Sequence, residues 1–340
     1  MHFILGLDYE LFLGARPGSV ERCLLEPTDL IAGVMEKHGF RFTLFVDATY
    51  LLQLQKYAGI YAKFAADLAN IGGHLRRLVK KGHDVQLHIH PHWEDCTFDG
   101  AEWHPRTERY RLHDFMGPEV RRIIHESKAL LTDLAGCDIF AFRAGGWCLQ
   151  PFTQIAQALH DEGIWLDSTV FTGGQSKDRQ RWYDFTSAPD RSCWRFRADP
   201  NIEDADGDFV EVPISAHRLS PLFFWGMALR KKLGGVRHKP FGDGGLMQAD
   251  GRYYWHRLTQ STLNAVSMDG AKADMLEAAY RSHKGKGATI LNVIGHPKSL
   301  TRYALTRLDE FLSRHNDLET ATFSQLSGLG LIPATARQTR

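Results

Sequence analysis

His83-Asp84-Val85-Gln86-Leu87-His88-Ile89-His90-Pro91-His92-Trp93 begins as a β-like run and ends with three imidazoles within five residues. Pro91 cannot donate to a central ladder, so the strand must give way to a loop among the histidines. Neutral imidazole is a favoured ligand of zinc and similar divalent metals, and pairs at short spacing supply two ligands from one loop. His88 and His92, four apart, are the preferred pair, with His90 in reserve. A His-rich surface loop would carry the same residues, so the surrounding chain has to decide.

The surrounding chain alternates β-branched or aromatic runs with helical stretches, the pattern of parallel α/β architecture. Strands are expected over 2–8, 40–47, 83–88, 138–143, 164–168, 209–214 and 289–294. Helices are expected from Pro27-Thr28-Asp29 to Lys37-His38-Gly39, from about 56 to 81 with a break at Gly72-Gly73, and from Pro118 to Leu134. Further helices cover about 150–162, 272–284 and 302–314. Seven strands with intervening helices suggest a closed or nearly closed barrel, one domain over 1–330 with a polar tail over 331–340.

Residues 199–269 depart from the alternation. They hold a compact apolar run, Leu222-Phe223-Phe224-Trp225-Gly226-Met227-Ala228-Leu229, followed by Arg230, Lys231, Lys232, Arg237, His238 and Lys239. This reads as an insertion over one barrel mouth that influences substrate choice. Its apolar run is too short to span a bilayer. A buried helix with a solvated basic end is the preferred reading, and weak membrane-surface contact the lesser one.

Composition excludes several classes. The 340 residues are 43% hydrophobic, enough for a large core, and 41 basic against 40 acidic side chains give no electrostatic case for nucleic acid. Five scattered cysteines, none in a CxxC pair, argue against a disulfide framework and fit a reducing compartment. Met1-His2-Phe3-Ile4-Leu5-Gly6-Leu7-Asp8 has no basic n-region, so a cytoplasmic protein is expected.

In parallel barrels, functional residues gather at the C-terminal ends of strands. Asp8 and Glu10 end the first expected strand, His88 and His92 the third, Arg143 the fourth and Asp167 the fifth, and His296 follows the seventh. Asp47 ends the second, where a solvated loop start is its expected role. Asp8 and Glu10 share one face of an extended segment. Two such carboxylates suit one metal ligand and one base. Arg143, beside the Gly145-Gly146 turn, could clamp a carboxylate. His296 is placed to act as an acid.

Taken in order, these motifs resemble those of the NodB-type polysaccharide deacetylases, carbohydrate esterase family four, in the branch found with capsule and lipopolysaccharide clusters. Asp8-Tyr9-Glu10 is similar to the first motif and Asp84 to His92 to the second. Phe142-Arg143-Ala144-Gly145-Gly146-Trp147 is similar to the arginine motif, Leu166-Asp167-Ser168-Thr169 to the fourth, and Gly295-His296-Pro297 to the catalytic-histidine motif. The resemblance implies a distorted seven-stranded (β/α) barrel and metal-assisted removal of an N-acyl group from an amino sugar. It implies zinc held by Glu10, His88 and His92, Asp8 as base, Arg143 orienting Asp8 and holding it ionised, His296 as acid and Asp167 setting the orientation or pKa of His296. Trp93 and Trp147 are candidates for stacking on a sugar ring. The substrate would be an amino-sugar small molecule, oligosaccharide or lipid-linked precursor. A formamido-sugar deformylase would use the same residues, and a non-catalytic carbohydrate-binding relative would keep the barrel without turnover.

Overall fold

The computed structural model describes residues 1–14, 16–245 and 251–333, and the side chains of these except Lys231 and 251–254. Residues 334–340 of the expected tail therefore lie outside the described residues. The chain forms two compact units, Met1–Phe42 with Ile214–Ala321, and Thr43–Pro213 with Thr322–Arg340.

All seven expected strands are present: β1 (His2–Tyr9), β2 (Thr43–Asp47), β3 (Asp84–Ile89), β4 (Ala141–Ala144), β5 (Leu166–Asp167), β6 (Phe209–Glu211) and β7 (Ile290–Gly295). In the first unit β1 pairs in parallel with β7, from His2↔Ile290 to Leu7↔Gly295. In the second, β2 to β6 pair in parallel with their sequence neighbours, the winding that right-handed β-α-β crossovers produce. β2, β3, β4 and β7 are buried along their whole length, and β1 along all but its first residue. That explains why they read as near-continuous apolar runs.

Two short strands take the count past seven. Trp194–Phe196 runs antiparallel to β6, and Glu319–Thr320 runs parallel to the start of β1. Two or three residues are too few for periodicity to register. The helix expected over 56–81 is Ala62–Lys80, unbroken at Gly72-Gly73, and a helix not expected from the sequence, Ala48–Ala58, precedes it across Gly59–Tyr61. Gly72 is helical because it faces a neighbouring helix: a Cβ there would lie 3.0 Å from Leu134. Close helix approach, not chain termination, accounts for that glycine. The helix Gly117–Ala135 stops at Gly136, whose φ of 68° is the left-handed conformation glycine adopts most readily.

In the first unit, the 199–269 region contributes an antiparallel ribbon, Ala216–Leu219 with Thr262–Ala265, and the helix Pro221–Leu233. That helix is not buried as expected. Leu222, Trp225, Leu229 and Leu233 are 56–79% exposed. No helix among the described residues is long and apolar enough to cross a membrane.

Candidate active site

Each unit carries a group of buried ionisable residues at its strand ends. In the first, parallel register sets the β1 and β7 ends side by side, so Asp8 and Glu10 meet His296. Pro297 follows that histidine and holds it extended, at φ −129° and ψ 118°. Asp8 and Glu10 are both buried. His296 Nε2 lies 3.6 Å from Asp8 Oδ2 and 3.6 Å from Glu10 Oε1.

The opposite ring nitrogen is held by Asp269. His296 Nδ1 lies 2.9 Å from Asp269 Oδ2, and the His296 backbone N–H donates to Oδ1 at 2.9 Å. A carboxylate can only accept there, so Nδ1 carries hydrogen and Nε2 is the nitrogen turned to Asp8 and Glu10. Burial by itself would lower the imidazole pKa. The charge and hydrogen bond of Asp269, then the charges of Asp8 and Glu10, outweigh it, and the net shift is upward. Burial would raise the Asp269 carboxyl, but the cationic ring against it brings it down to about 2. Lys298, itself buried, donates to Glu10 Oε1 at 2.9 Å and to the Leu11 carbonyl.

In the second unit, His88 sits opposite Arg143 in the β3–β4 register, and its Nδ1 is 2.8 Å from the Arg143 carbonyl. That acceptor fixes hydrogen on Nδ1 and directs the Nε2 lone pair away from the backbone, the arrangement metal-binding imidazoles use. His90 follows β3, and His92 lies on the 3₁₀ turn Pro91–Asp95. The His90 ring centroid is 4.7 Å from that of His88 and 5.6 Å from that of His92, and all three are buried. Gly145 makes room for them, because a Cβ there would stand 2.5 Å from the Ile89 carbonyl oxygen and 2.7 Å from His90 Nδ1.

Asp47 is not the solvated loop start expected of it. It is 2% exposed, and its Oδ1 accepts from the Thr49 hydroxyl at 2.6 Å and the His90 N–H at 3.3 Å. It ties down the backbone between the histidines. Arg143 is buried, with Nε donating to the Ser168 carbonyl at 2.8 Å, Nη2 to the Ser168 hydroxyl at 3.1 Å, and its guanidinium 3.9 Å above the Phe45 ring.

Asp167 accepts from the Thr169 N–H at 2.8 Å and the Thr169 hydroxyl at 2.9 Å. It stands opposite Glu211 in the β5–β6 register. Burial pushes the Asp167 carboxyl up to about 6. Burial and the Asp167 charge push Glu211 well above the usual carboxylate range. Both acids are therefore displaced toward their neutral forms by burial and by each other. The carboxylate on His296 Nδ1 is Asp269, not Asp167, so the orienting role that the resemblance gave Asp167 has another holder.

Trp93 is 4% exposed and packed against Tyr50 and Trp103, at 5.0 and 5.3 Å between centroids. It is core rather than a sugar platform. Trp147 is half-buried beside Phe171 and Tyr183 and has φ 62°. A bulky residue with that backbone is strained and is held so by its surroundings.

Asp269, Lys298 and Glu211 are ionisable residues without a role in the sequence reading, and Asp47 is one whose role it gave wrongly. Asp47 ends an expected strand, whereas Glu211 ends the observed Phe209–Glu211 but lies inside the expected 209–214. Lys298 follows a histidine-proline turn and carried none.

No protein-family model matches the chain, and no curated protein does. Among solved structures it is similar to a presumptive polysaccharide deacetylase from Mycobacterium smegmatis, at 16% identity over 92% of this chain and 80% of that one, with a TM-score of 0.50. An allantoinase matches at 13% identity over 96% of this chain and 88% of that one, with a TM-score of 0.47. A family 4 carbohydrate esterase from Streptomyces lividans, solved with acetate, matches at 12% identity over 98% and 97%, with a TM-score of 0.40. The first of these likenesses is one of fold: the chain has an α/β architecture of the polysaccharide deacetylase type.

Proposed function

We propose that the chain is a metal-dependent hydrolase that removes an N-acyl group, foremost N-acetyl, from an amino sugar. The observation that carries this reading is the Asp269–His296 pair, which turns a hydrogen-bonded imidazole onto two buried carboxylates at the ends of neighbouring strands. Such a group moves protons. The cytoplasm and a small, oligosaccharide or lipid-linked amino-sugar precursor remain part of the proposal, as does zinc.

The donor types fit a divalent cation of the zinc kind. His88 has its tautomer set by a carbonyl, two further imidazoles adjoin it, and Glu10 supplies a carboxylate. We assign Glu10 and His88 as ligands, with His92 as the third by motif spacing and His90 as the alternative that the grouping of donor atoms favours. When bound, the cation supplies Lewis acidity, lowering the pKa of the attacking water and polarising the acyl carbonyl. Asp8 takes the proton of that water. His296, held protonated by Asp269, delivers a proton from Nε2 to the departing sugar amine. Lys298 neutralises one Glu10 oxygen, so two acids can stand on one strand end without being expelled from it. Arg143 orients Asp8, and the half-buried Trp147 offers a ring face to the sugar.

The test is release of acetate and of formate from a panel of N-acetyl and N-formyl amino sugars by the purified, zinc-loaded protein. Acetate release is expected. Formate alone would make it a deformylase, and sugar binding without either product would make it a non-catalytic relative.

A further inference from the structure

The helix Pro221–Leu233 presents an apolar stripe to solvent. Leu222, Trp225, Leu229 and Leu233 are spaced three, four and four apart, so they fall on one helical face. They are 79, 56, 59 and 71% exposed, while Phe224 on the opposite face is 7% exposed. The stripe is extended by Val236 and by Trp255, 72 and 70% exposed. The helix bearing Trp255 is tied alongside, with Trp225 Nε1 donating to the Leu258 carbonyl at 3.1 Å. Isolated surface leucines need no explanation, but a continuous row of them with two tryptophans does.

Charge decides what covers it. Between Glu211 and Asp243 the chain has no acidic residue, yet it holds Arg218, Arg230, Lys231, Lys232, Arg237 and Lys239. The whole protein carries a net charge of only +1, so this excess is local. Lys232 is exposed and lies next to the stripe on the helix, and Arg218 and Lys239 are exposed on the flanking segments. Arg230 is paired with Asp274, and Arg237 lies over the Tyr303 ring, so those two are partly committed. Protein-docking faces are depleted in lysine at their centres, whereas tryptophan, leucine and a lysine rim are what an anionic lipid interface selects.

We infer that this face docks the protein onto an anionic lipid bilayer, the apolar stripe entering the headgroup region and the basic residues meeting the phosphates. Nothing in it depends on the reaction proposed above. It fits a chain without a membrane-crossing helix among its described residues, because such a face lies on a membrane rather than through it.

The experiment is co-sedimentation of the purified full-length protein with phosphatidylcholine vesicles, with and without phosphatidylglycerol. Binding is expected only with the anionic lipid, and it should weaken as salt rises. Lys232→Gln and Lys239→Gln should each lower the partition coefficient by about fivefold. Leu229→Ser with Leu233→Ser should lower it by about tenfold or more. These exposed substitutions should leave the thermal unfolding midpoint and the hydrolysis of a soluble amino sugar unchanged, which separates this inference from the proposed reaction. Absence of a phosphatidylglycerol preference would overturn it, as would undiminished binding by the double leucine variant. A concentration-dependent dimer lost in that variant, without vesicle binding, would assign the face to a second copy of the chain instead.

Discussion

Two pairs of buried acids sit at strand ends of this protein, and they are treated oppositely. Asp8 and Glu10 in the first unit are answered by cations: His296 lies 3.6 Å from both, and Lys298 donates to Glu10 at 2.9 Å. Asp167 and Glu211 in the second have hydroxyl and amide donors and each other, with Arg143 acting only weakly on their charge. Burial disfavours ionised carboxylates, and nearby positive charge and donated hydrogen bonds oppose it. The first pair faces an imidazole and an ammonium, the partners that acid–base chemistry and ligand binding use. The second lacks such a cation, is pushed toward the neutral form by burial, and joins two strands. Burial of an acid is therefore poor evidence of chemistry until its partners are named.

The largest effects should come from breaking the charged pair. Asp8→Asn and His296→Ala should each lower the deacylation rate by ~10²–10⁴-fold while retaining bound metal. His88→Ala and His92→Ala should lose metal together with activity, and Glu10→Gln should follow the histidines if Glu10 is a ligand. Metal stoichiometry measured beside the rate on each folded variant separates these outcomes. Full occupancy in His92→Ala with loss in His90→Ala would exchange those two histidines. Full occupancy in both His88→Ala and His92→Ala would remove the ligand assignment.

A smaller effect is expected one bond further out. Asp269 touches the imidazole rather than the reacting atoms, so it is a positioning residue. Asp269→Asn should lower kcat by about 10–100-fold with little change in KM, because the amide allows the unproductive tautomer and no longer stabilises the cation. Asp269→Glu should recover part of the loss. A purely structural aspartate would instead lower the folded fraction and leave kcat per folded molecule intact.

The seven strands were legible because parallel, doubly buried strands leave uninterrupted apolar runs bounded by glycine and proline. The same rule placed Asp8, Glu10, His88, Arg143, Asp167 and His296 at strand ends. Asp269 was hidden because its partner is 27 residues away and its own segment follows a four-residue strand, too short for a pattern. The helix Ala48–Ala58 was hidden because it follows β2 without a loop and its apolar residues prolong that strand's run, while Gly72 proved to serve packing against Leu134 rather than a break. The exposed helix was misread for a general reason. Eight apolar residues in a row look buried by composition, and only the packing of Phe224 shows which side faces in.

The smallest effect tests the uncharged pair. Raised carboxyl pKa values in the folded state mean that the native protein binds protons more tightly than the unfolded chain. The stability this contributes is complete below the unfolded carboxylate range, near pH 4, and is lost as pH rises through about 6, where Asp167 titrates. Glu211→Gln removes one of the two acids while keeping a carbonyl to accept from the Val170 N–H, as Oε1 does at 3.2 Å. It also adds an amide N–H that can donate to Asp167. The variant should therefore match the parent in denaturant midpoint near pH 4. At pH 8 it should be more stable by on the order of 1–2 kcal/mol, because only the parent carries there a second carboxyl whose folded pKa lies well above its unfolded one. Chemical unfolding curves of both proteins across that range measure the difference directly. A variant destabilised at pH 8 would mean that Glu211 is charged in the native state, and the contrast between the two pairs would fall with it.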